Sequence, residues 1–235
     1  MSNSDAARRQ AVVTGASSGI GRAIAEHLLA QGWQVLGLDQ AAPAIEHPHF
    51  QGIKADLSDP AAIGAMRGRL GSAHALVHAA GLLRVGTLGT LDLAAGELMW
   101  RVHVQAAVAL AEAMVPAMVT RGTGRVVLIG SRVAHGMPGR SQYAATKAAL
   151  IALARSWAAE VAAGGVTVNV VSPAATDTAM VRDIARAASA PRLPPIGRLI
   201  QPGEIAATVA FLLSPEAAAI TGQELTVCGG SSLAR

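Results

Sequence analysis

One cysteine, one tyrosine and two lysines stand in a chain of 235 residues. A lone Cys228 forms neither an intramolecular disulfide nor a cysteine-based zinc site, so a stapled secreted fold is excluded, no metal is expected, and a reducing cytoplasm is the expected compartment. The opening MSNSDAARRQ has no apolar stretch and does not read as a signal peptide. Aromatic residues make up 3% of the chain and the arginines are scattered singly, so the formal charge of +4 comes without the stacking residues or basic stripe that nucleic acid requires. Although 51% of the residues are hydrophobic, no apolar run reaches the roughly 18–20 residues that span a bilayer, and no membrane partner is expected. The longest candidate, from Ala106, is interrupted by Glu112 and Pro116.

What is present is an alternation. Apolar runs AVVT (from Ala11), QVLGLD (to Asp39), FQGIKAD (to Asp56), ALVHAAG (to Gly81), RVVLIGS (to Ser131), VTVNVVSP (to Pro173) and ELTVCGG (to Gly230) are separated by longer alanine-rich stretches of helical pattern. Continuously apolar strands are those covered on both faces. The expectation is an α/β fold over residues 1–235: one Rossmann-type domain, a doubly wound parallel sheet of about seven strands with helices on both faces. Ligands of such sheets bind at the carboxyl ends of the strands. The proline-rich stretch around residues 175–201 breaks the alternation and reads as a substrate loop over that edge.

After the first strand comes Thr14-Gly15-Ala16-Ser17-Ser18-Gly19-Ile20-Gly21, which runs into a helix. Glycines permit the tight turn and close backbone approach, and the helix presents its N-terminal amides to a pyrophosphate. The strand, loop and helix context together marks a nucleotide site. Asp39 ends the second strand, where an acidic side chain accepts bonds from the adenosine ribose and repels a 2′-phosphate, favouring NAD over NADP. Ser18 before Gly19 and Gln40 after Asp39 add no basic residue, leaving Arg22 as the one nearby cation. The tyrosine and one of the lysines fall four apart in Tyr143-Ala-Ala-Thr-Lys147, on one face of a helix. An ammonium beside a phenol stabilises the phenolate and makes it a general acid and base.

Together TGASSGIG, Asp56-Leu57, the AAG ending at Gly81, Ser131, YAATK, NVVSP and TGQELTVCGG resemble the short-chain dehydrogenase/reductase family, in its order and over nearly the whole chain. The resemblance implies hydride transfer between a nicotinamide and a carbinol or carbonyl carbon. It also implies that Ser131 bonds the reacting oxygen, Tyr143 transfers the proton, and Lys147 lowers the tyrosine pKa while holding the nicotinamide ribose. Cofactor contacts carried over with it are Gly15, Ser17, Ser18, Gly19, Ile20, Gly21, Asp39, Asp56, Leu57, Ala79, Ala80, Gly81, Tyr143, Lys147, Pro173, Thr176 and Thr178.

Four positions depart from the family pattern. His103 stands where an asparagine usually holds a water that relays protons to the lysine; an imidazole either serves that relay or is a packed histidine. His78 replaces the first asparagine of an Asn-Asn-Ala-Gly motif, Ala174 the glycine after Pro173, and Cys228 an aspartate, with a buried structural thiol as its ordinary reading.

Local strings around Asp39, Ala79 to Gly86, and Val170 to Met180 resemble the 2,3-dihydro-2,3-dihydroxybenzoate dehydrogenases within this family, implying a cyclic alcohol or dihydrodiol substrate. The 3-oxoacyl-carrier-protein reductases and polyol dehydrogenases remain competitors. Arg84, His135, Met137 and Met180 are the candidate substrate contacts. A sensor that binds NAD without turnover is a different class, whose mark is loss of Tyr143 or Lys147; both are present. The helical stretches from Val104 and from Ala149 are apolar round most of their circumference, more than a sheet face buries, so a homo-oligomer, dimer or tetramer, is expected.

Overall fold

The computed structural model describes residues 9–182 and 193–233. Seven parallel strands form one sheet: β1 (Gln10–Thr14), β2 (Gln34–Asp39), β3 (Phe50–Lys54), β4 (Ala75–His78), β5 (Gly124–Ile129), β6 (Val166–Pro173) and β7 (Glu224–Val227), in the order β3-β2-β1-β4-β5-β6-β7. The chain therefore winds outward from β1 twice, and the order reverses between β1 and β4, where a crevice opens at the carboxyl ends. The interior strands are buried over most of their length, whereas β3 at one edge and β7 at the other are partly exposed, contrary to the uniform coverage expected.

One apolar layer lies on each face. Leu36, Leu76, Leu110, Met114, Val126 and Val168 belong to the first, beneath α5 (Ala106–Thr120) and α6 (Ser141–Val161). Ile24, Leu28, Val77, Ile205 and Val209 belong to the second, beneath α1 (Gly19–Ala30) and α7 (Pro202–Leu213). Small helices α2 (Pro60–Ala65), α3 (Arg67–Leu70) and α4 (Leu93–Trp100) complete the first layer. In β6, Asn169 is fully buried; its amide donates to Ile220 O at 2.7 Å and its carbonyl accepts the Gln223 N–H at 3.0 Å. The asparagine of NVVSP is thus a staple between β6 and the approach to β7.

Glu112 and Pro116 interrupt the apolar run but not the helix that carries it. Helix α4, a π-turn at Arg101–Gln105 and α5 run together as one 28-residue helix, Leu93–Thr120, long and apolar enough by composition to cross a membrane. It packs on the sheet instead, with Ala107, Leu110, Met114 and Met118 fully buried. Pro116 has no N–H for the carbonyl one turn earlier, which would leave Glu112 O without a helical donor. Arg67 Nη2 donates to that oxygen at 3.0 Å.

Of the expected substrate loop, Thr176 bridges Ile200 beside the sheet, while residues 183–192 lie outside the described residues.

Candidate active site

The glycine loop closes on itself by contact too tight for side chains. Gly15 has a φ of +67°, and a Cβ there would meet the Ala80 backbone at 3.0 Å; one on Gly21 would lie 2.2 Å from Gly15 O. Glycine is required at both. Ser18 makes no side-chain cap to α1, so the first-turn amides that a helix cannot satisfy internally face the crevice. That crevice is a cavity of about 540 Å³ lined by Gly15, Ser18, Gly19, Ile20, Gly21, Asp39, Asp56, Leu57, Ala79, Ala80, Gly81 and Thr178, all expected as cofactor contacts. An elongated polar crevice with a helix N-terminus at its middle and an acid at one end fits a dinucleotide.

Within that crevice, Asp39 accepts the Ser17 N–H at 3.0 Å and the Ala41 N–H at 2.9 Å. Its carboxylate is fixed, yet each oxygen keeps a free lone pair. Ser17 thus supports Asp39 rather than lining the cavity. Of the two nearby cations, Arg22 is engaged along α1, its Nε donating to Glu26 Oε1 at 2.8 Å, and Lys54 stands beside Asp39 in the β2–β3 register. Asp56 accepts both the N–H and the hydroxyl of Ser58 at 2.8 Å, and those bonds lower its pKa below the ordinary carboxylate value.

Ser131, Tyr143, Lys147 and His103 do not line this cavity: Ser131 follows β5, Tyr143 and Lys147 occupy the first turns of α6, and Lys147 and His103 adjoin the cavity behind Gly81. Lys147 is buried and its Nζ donates to Ile129 O at 2.8 Å, lying 5.8 Å from the centre of the Tyr143 ring and 3.7 Å from where a Gly81 side chain would begin. Burial of the ammonium lowers the Lys147 pKa to about 7. Burial also raises the Tyr143 pKa, against the Ser131 hydroxyl and the Arg140 charge, which lower it. Desolvation is the largest influence on both groups.

His103 is fully buried and edge-on to Tyr143, ring centres 5.6 Å apart. Its Nε2 accepts the Leu82 N–H at 3.0 Å and its Nδ1 meets Thr146 Oγ1 at 2.8 Å. His78, equally buried, meets Thr14 Oγ1 through Nδ1 at 3.0 Å and the Val102 and His103 carbonyls through Nε2, each at 3.1 Å.

Of the expected substrate contacts, Arg84 and Met180 line the cavity. His135 and Met137 are not among its lining residues: the turn Arg132–His135 aims the His135 ring at β7, where Nε2 lies 3.3 Å from Glu224 Oε2, and Met137 sits in the following loop, its carbonyl accepting the Arg140 N–H. Pro173 and Thr176 are not among the lining residues; both are buried, and Thr176 Oγ1 donates to Ala174 O at 3.0 Å. Cys228 is half-buried rather than enclosed. Leu82, Leu98 and Val102 line the cavity without having been singled out from the sequence. Leu98 and Val102 are four residues apart and so share a helix face, a spacing through which either would have pointed to the other.

A family model described as enoyl-(acyl carrier protein) reductase matches residues 15–232. A structure described as a short chain dehydrogenase/reductase family protein superposes with a TM-score of 0.89 at 35% identity, over 96% of this chain and 98% of that one. The chain belongs to the short-chain dehydrogenase/reductase family. This reductase/dehydrogenase is 40% identical to 3-oxoacyl-acyl-carrier-protein reductase of Escherichia coli K12, over 94% of this chain and 96% of the relative. It is 36% identical, with the same coverage, to 2,3-dihydro-2,3-dihydroxybenzoate dehydrogenase of that organism. The ligand-free aldohexose dehydrogenase of Thermoplasma acidophilum superposes with a TM-score of 0.90 at 30% identity, over 97% and 95% of the two chains. The short-chain enzyme is accordingly an oxidoreductase that uses a nicotinamide cofactor.

Proposed function

We propose that this enzyme interconverts a secondary alcohol and its ketone on a small, anionic cyclic substrate, with NAD as the partner. The observation that supports the reading is that Lys147 Nζ, one helical turn from Tyr143 on α6, comes within 3.7 Å of where a side chain on Gly81 would begin, and Gly81 lines the same cavity as Asp39. Bound nicotinamide would accept or supply the hydride. Tyr143 gives its phenolic proton to the ketone oxygen in reduction and takes the alcohol proton in oxidation, while the Ser131 hydroxyl orients that oxygen. Lys147, steadied by Ile129 O, supplies the positive charge that the phenolate requires. With its pKa near 7, that charge responds to pH across neutrality.

NAD rather than NADP is supported by the anchored Asp39 carboxylate and by the diversion of Arg22 to Glu26. Asp56 and Leu57 border the adenine in this reading. On the substrate side, Leu82, Leu98, Val102 and Met180 form an apolar wall that includes one cation, Arg84. The Arg84 Nη1 donates only to the neighbouring Leu83 carbonyl, leaving the rest of its fork for a carboxylate. That combination supports a cyclic dihydrodiol acid, the class named by one relative. The identity of 40% to an acyl-carrier reductase supports a second reading, reduction of a 3-oxoacyl thioester.

Absorbance of NADH separates the two. NAD with a panel of cyclic diol acids and polyols is run beside NADH or NADPH with 3-oxoacyl thioesters, with Tyr143→Phe as the control. Turnover of a diol acid that drops on Arg84→Leu supports the first reading; turnover of thioesters alone selects the second. Cofactor binding with no turnover on any substrate overturns both in favour of a sensor. A cytoplasmic homo-oligomer, dimer or tetramer, completes the proposal, supported by the exposed apolar side chains of Trp100, Val108 and Val119 on the long helix.

A further inference from the structure

Beneath the cavity floor two buried imidazoles meet, and their hydrogen bonds assign every ring proton. A backbone N–H only donates, so the Leu82 bond leaves His103 Nε2 bare and puts the proton on Nδ1. From there it goes to Thr146 Oγ1, whose own proton goes to the Tyr143 carbonyl at 2.8 Å. Thr14 Oγ1 accepts the amides of Ala79 at 3.0 Å and Ala80 at 2.9 Å, so its proton points to His78 Nδ1. His78 therefore carries its proton on Nε2 and shares it between the Val102 and His103 carbonyls. These two carbonyls belong to the π-turn, where the wider helical repeat disturbs the regular backbone bonds and another donor is needed.

We infer that His78 and His103 act as one positioning unit: His78 holds the π-turn, the π-turn presents His103, and His103 ties the Leu82 backbone to the turn of α6 that carries Tyr143 and Lys147. The chain of bonds runs unbroken from the glycine-loop strand, through Thr14, to the catalytic helix. Lys147 and Tyr143 are the other titratable groups that face the pair, and both are buried beside it. Burial, then the Lys147 charge, keep both imidazoles neutral, lowering His78 to about 4 and His103 well below its usual value. A proton relay through His103 would need a ring nitrogen free to exchange with solvent or substrate, and neither nitrogen is free. The two histidines act in series: the His78 ring bonds the backbone carbonyl of His103, and the His103 ring bonds Leu82 and Thr146.

The activity arm of the test rests on the dehydrogenase reading, whereas the spectroscopic arm does not. Nitrogen-15 NMR of the full ligand-free protein, labelled in histidine, is expected to show two rings in opposite tautomers, Nδ1–H and Nε2–H, unchanged across neutral pH. His78→Asn, His103→Asn and the double variant then form a cycle read in kcat, in NADH affinity by fluorescence, and in melting temperature. Each single change is expected to lower kcat by about tenfold to a hundredfold through misplacement of the phenol, with NADH affinity and the limbs of the pH profile little moved. The double variant is expected to fall no further than the worse single one. His103→Gln, whose carbonyl reaches the Nε2 position and accepts the Leu82 N–H, is expected to recover part of the loss. Like tautomers, a ring that titrates near neutrality, fully multiplicative losses in kcat and stability, or a shifted pH profile in His103→Asn each overturn the inference. Were the enzyme to turn over none of the substrates, the tautomers and the stability cycle would still decide it.

Discussion

Asp39 reaches back across the crevice to the glycine loop, its Oδ2 accepting the Ser17 N–H at 3.0 Å. The same carboxylate proposed to favour NAD over NADP therefore also braces the glycine loop. These roles separate by substitution. Asp39→Asn keeps an oxygen for Ser17 but loses the charge, so the melting temperature is expected to hold while use of NADP rises relative to NAD. Asp39→Ala loses both, and its KM for NAD is expected to rise by about tenfold or more, the scale of a lost charged hydrogen bond. Steady-state rates with the two cofactors check this; an unchanged NADP-to-NAD ratio in both variants would falsify the selector role.

Lys147 costs the fold stability that its chemistry requires. Its folded pKa near 7 lies below the ordinary 10.5, so between those values the unfolded chain binds the proton that the folded one gives up. Stability from this group therefore rises as pH climbs from 7 to 10.5, and the full cost is felt below 7. Lys147→Met is expected to raise the melting temperature of the ligand-free protein by about 5 °C at or below neutrality, with the gap closing in alkali. Its turnover is expected to fall by at least about a hundredfold. Calorimetry across pH reads the first effect, and an equal gap at all pH values would remove burial of the ammonium as its cause.

The buried histidines produce an acid-side signature of the same sign. His78 and His103 stay neutral in the folded state where the unfolded chain protonates near 6.5, and half-exposed His74, also lowered by burial, adds to them. Stability is thus present above 6.5 and is lost as pH falls toward about 4, at up to about 1.4 kcal/mol per pH unit for each histidine. Urea unfolding at a series of pH values should show the double variant His78→Asn/His103→Asn with a flatter dependence than the parent. Equal slopes would mean that neither imidazole resists protonation.

The sheet was legible because its interior strands are mostly apolar and buried, and VTVNVVSP and QVLGLD match β6 and β2 end to end. Errors lie at strand ends, where side chains compete for the ladder. ALVHAAG stops at His78 since the Ala79 and Ala80 amides turn to the Thr14 hydroxyl. Tyr143 and Lys147 were found by spacing, which a helix converts directly into a shared face. His135 was misplaced because a loop side chain takes its direction from tertiary partners, here Glu224. The π-turn left no mark in composition; one residue of extra winding changes which carbonyls are free without changing any hydrophobic period.

Assembly supplies the remaining prediction. On the helix Leu93–Thr120 the sheet buries one face, and Val108 and Val119, more than a third exposed, stand eleven residues apart, three helical turns, on another. Trp100 is exposed farther up the same helix, and Trp157 packs only partly against the core from α6. Apolar surface aligned over several turns marks a protein contact. Light scattering of the parent at micromolar concentration is expected to give the mass of a dimer or tetramer. Val108→Glu places a charge in the middle of this face without touching the cavity, so it is expected to yield a smaller species with unaltered far-ultraviolet circular dichroism. A parent that runs as a monomer, or a Val108→Glu protein that keeps the parent's mass, would show that this face is covered by nothing in solution.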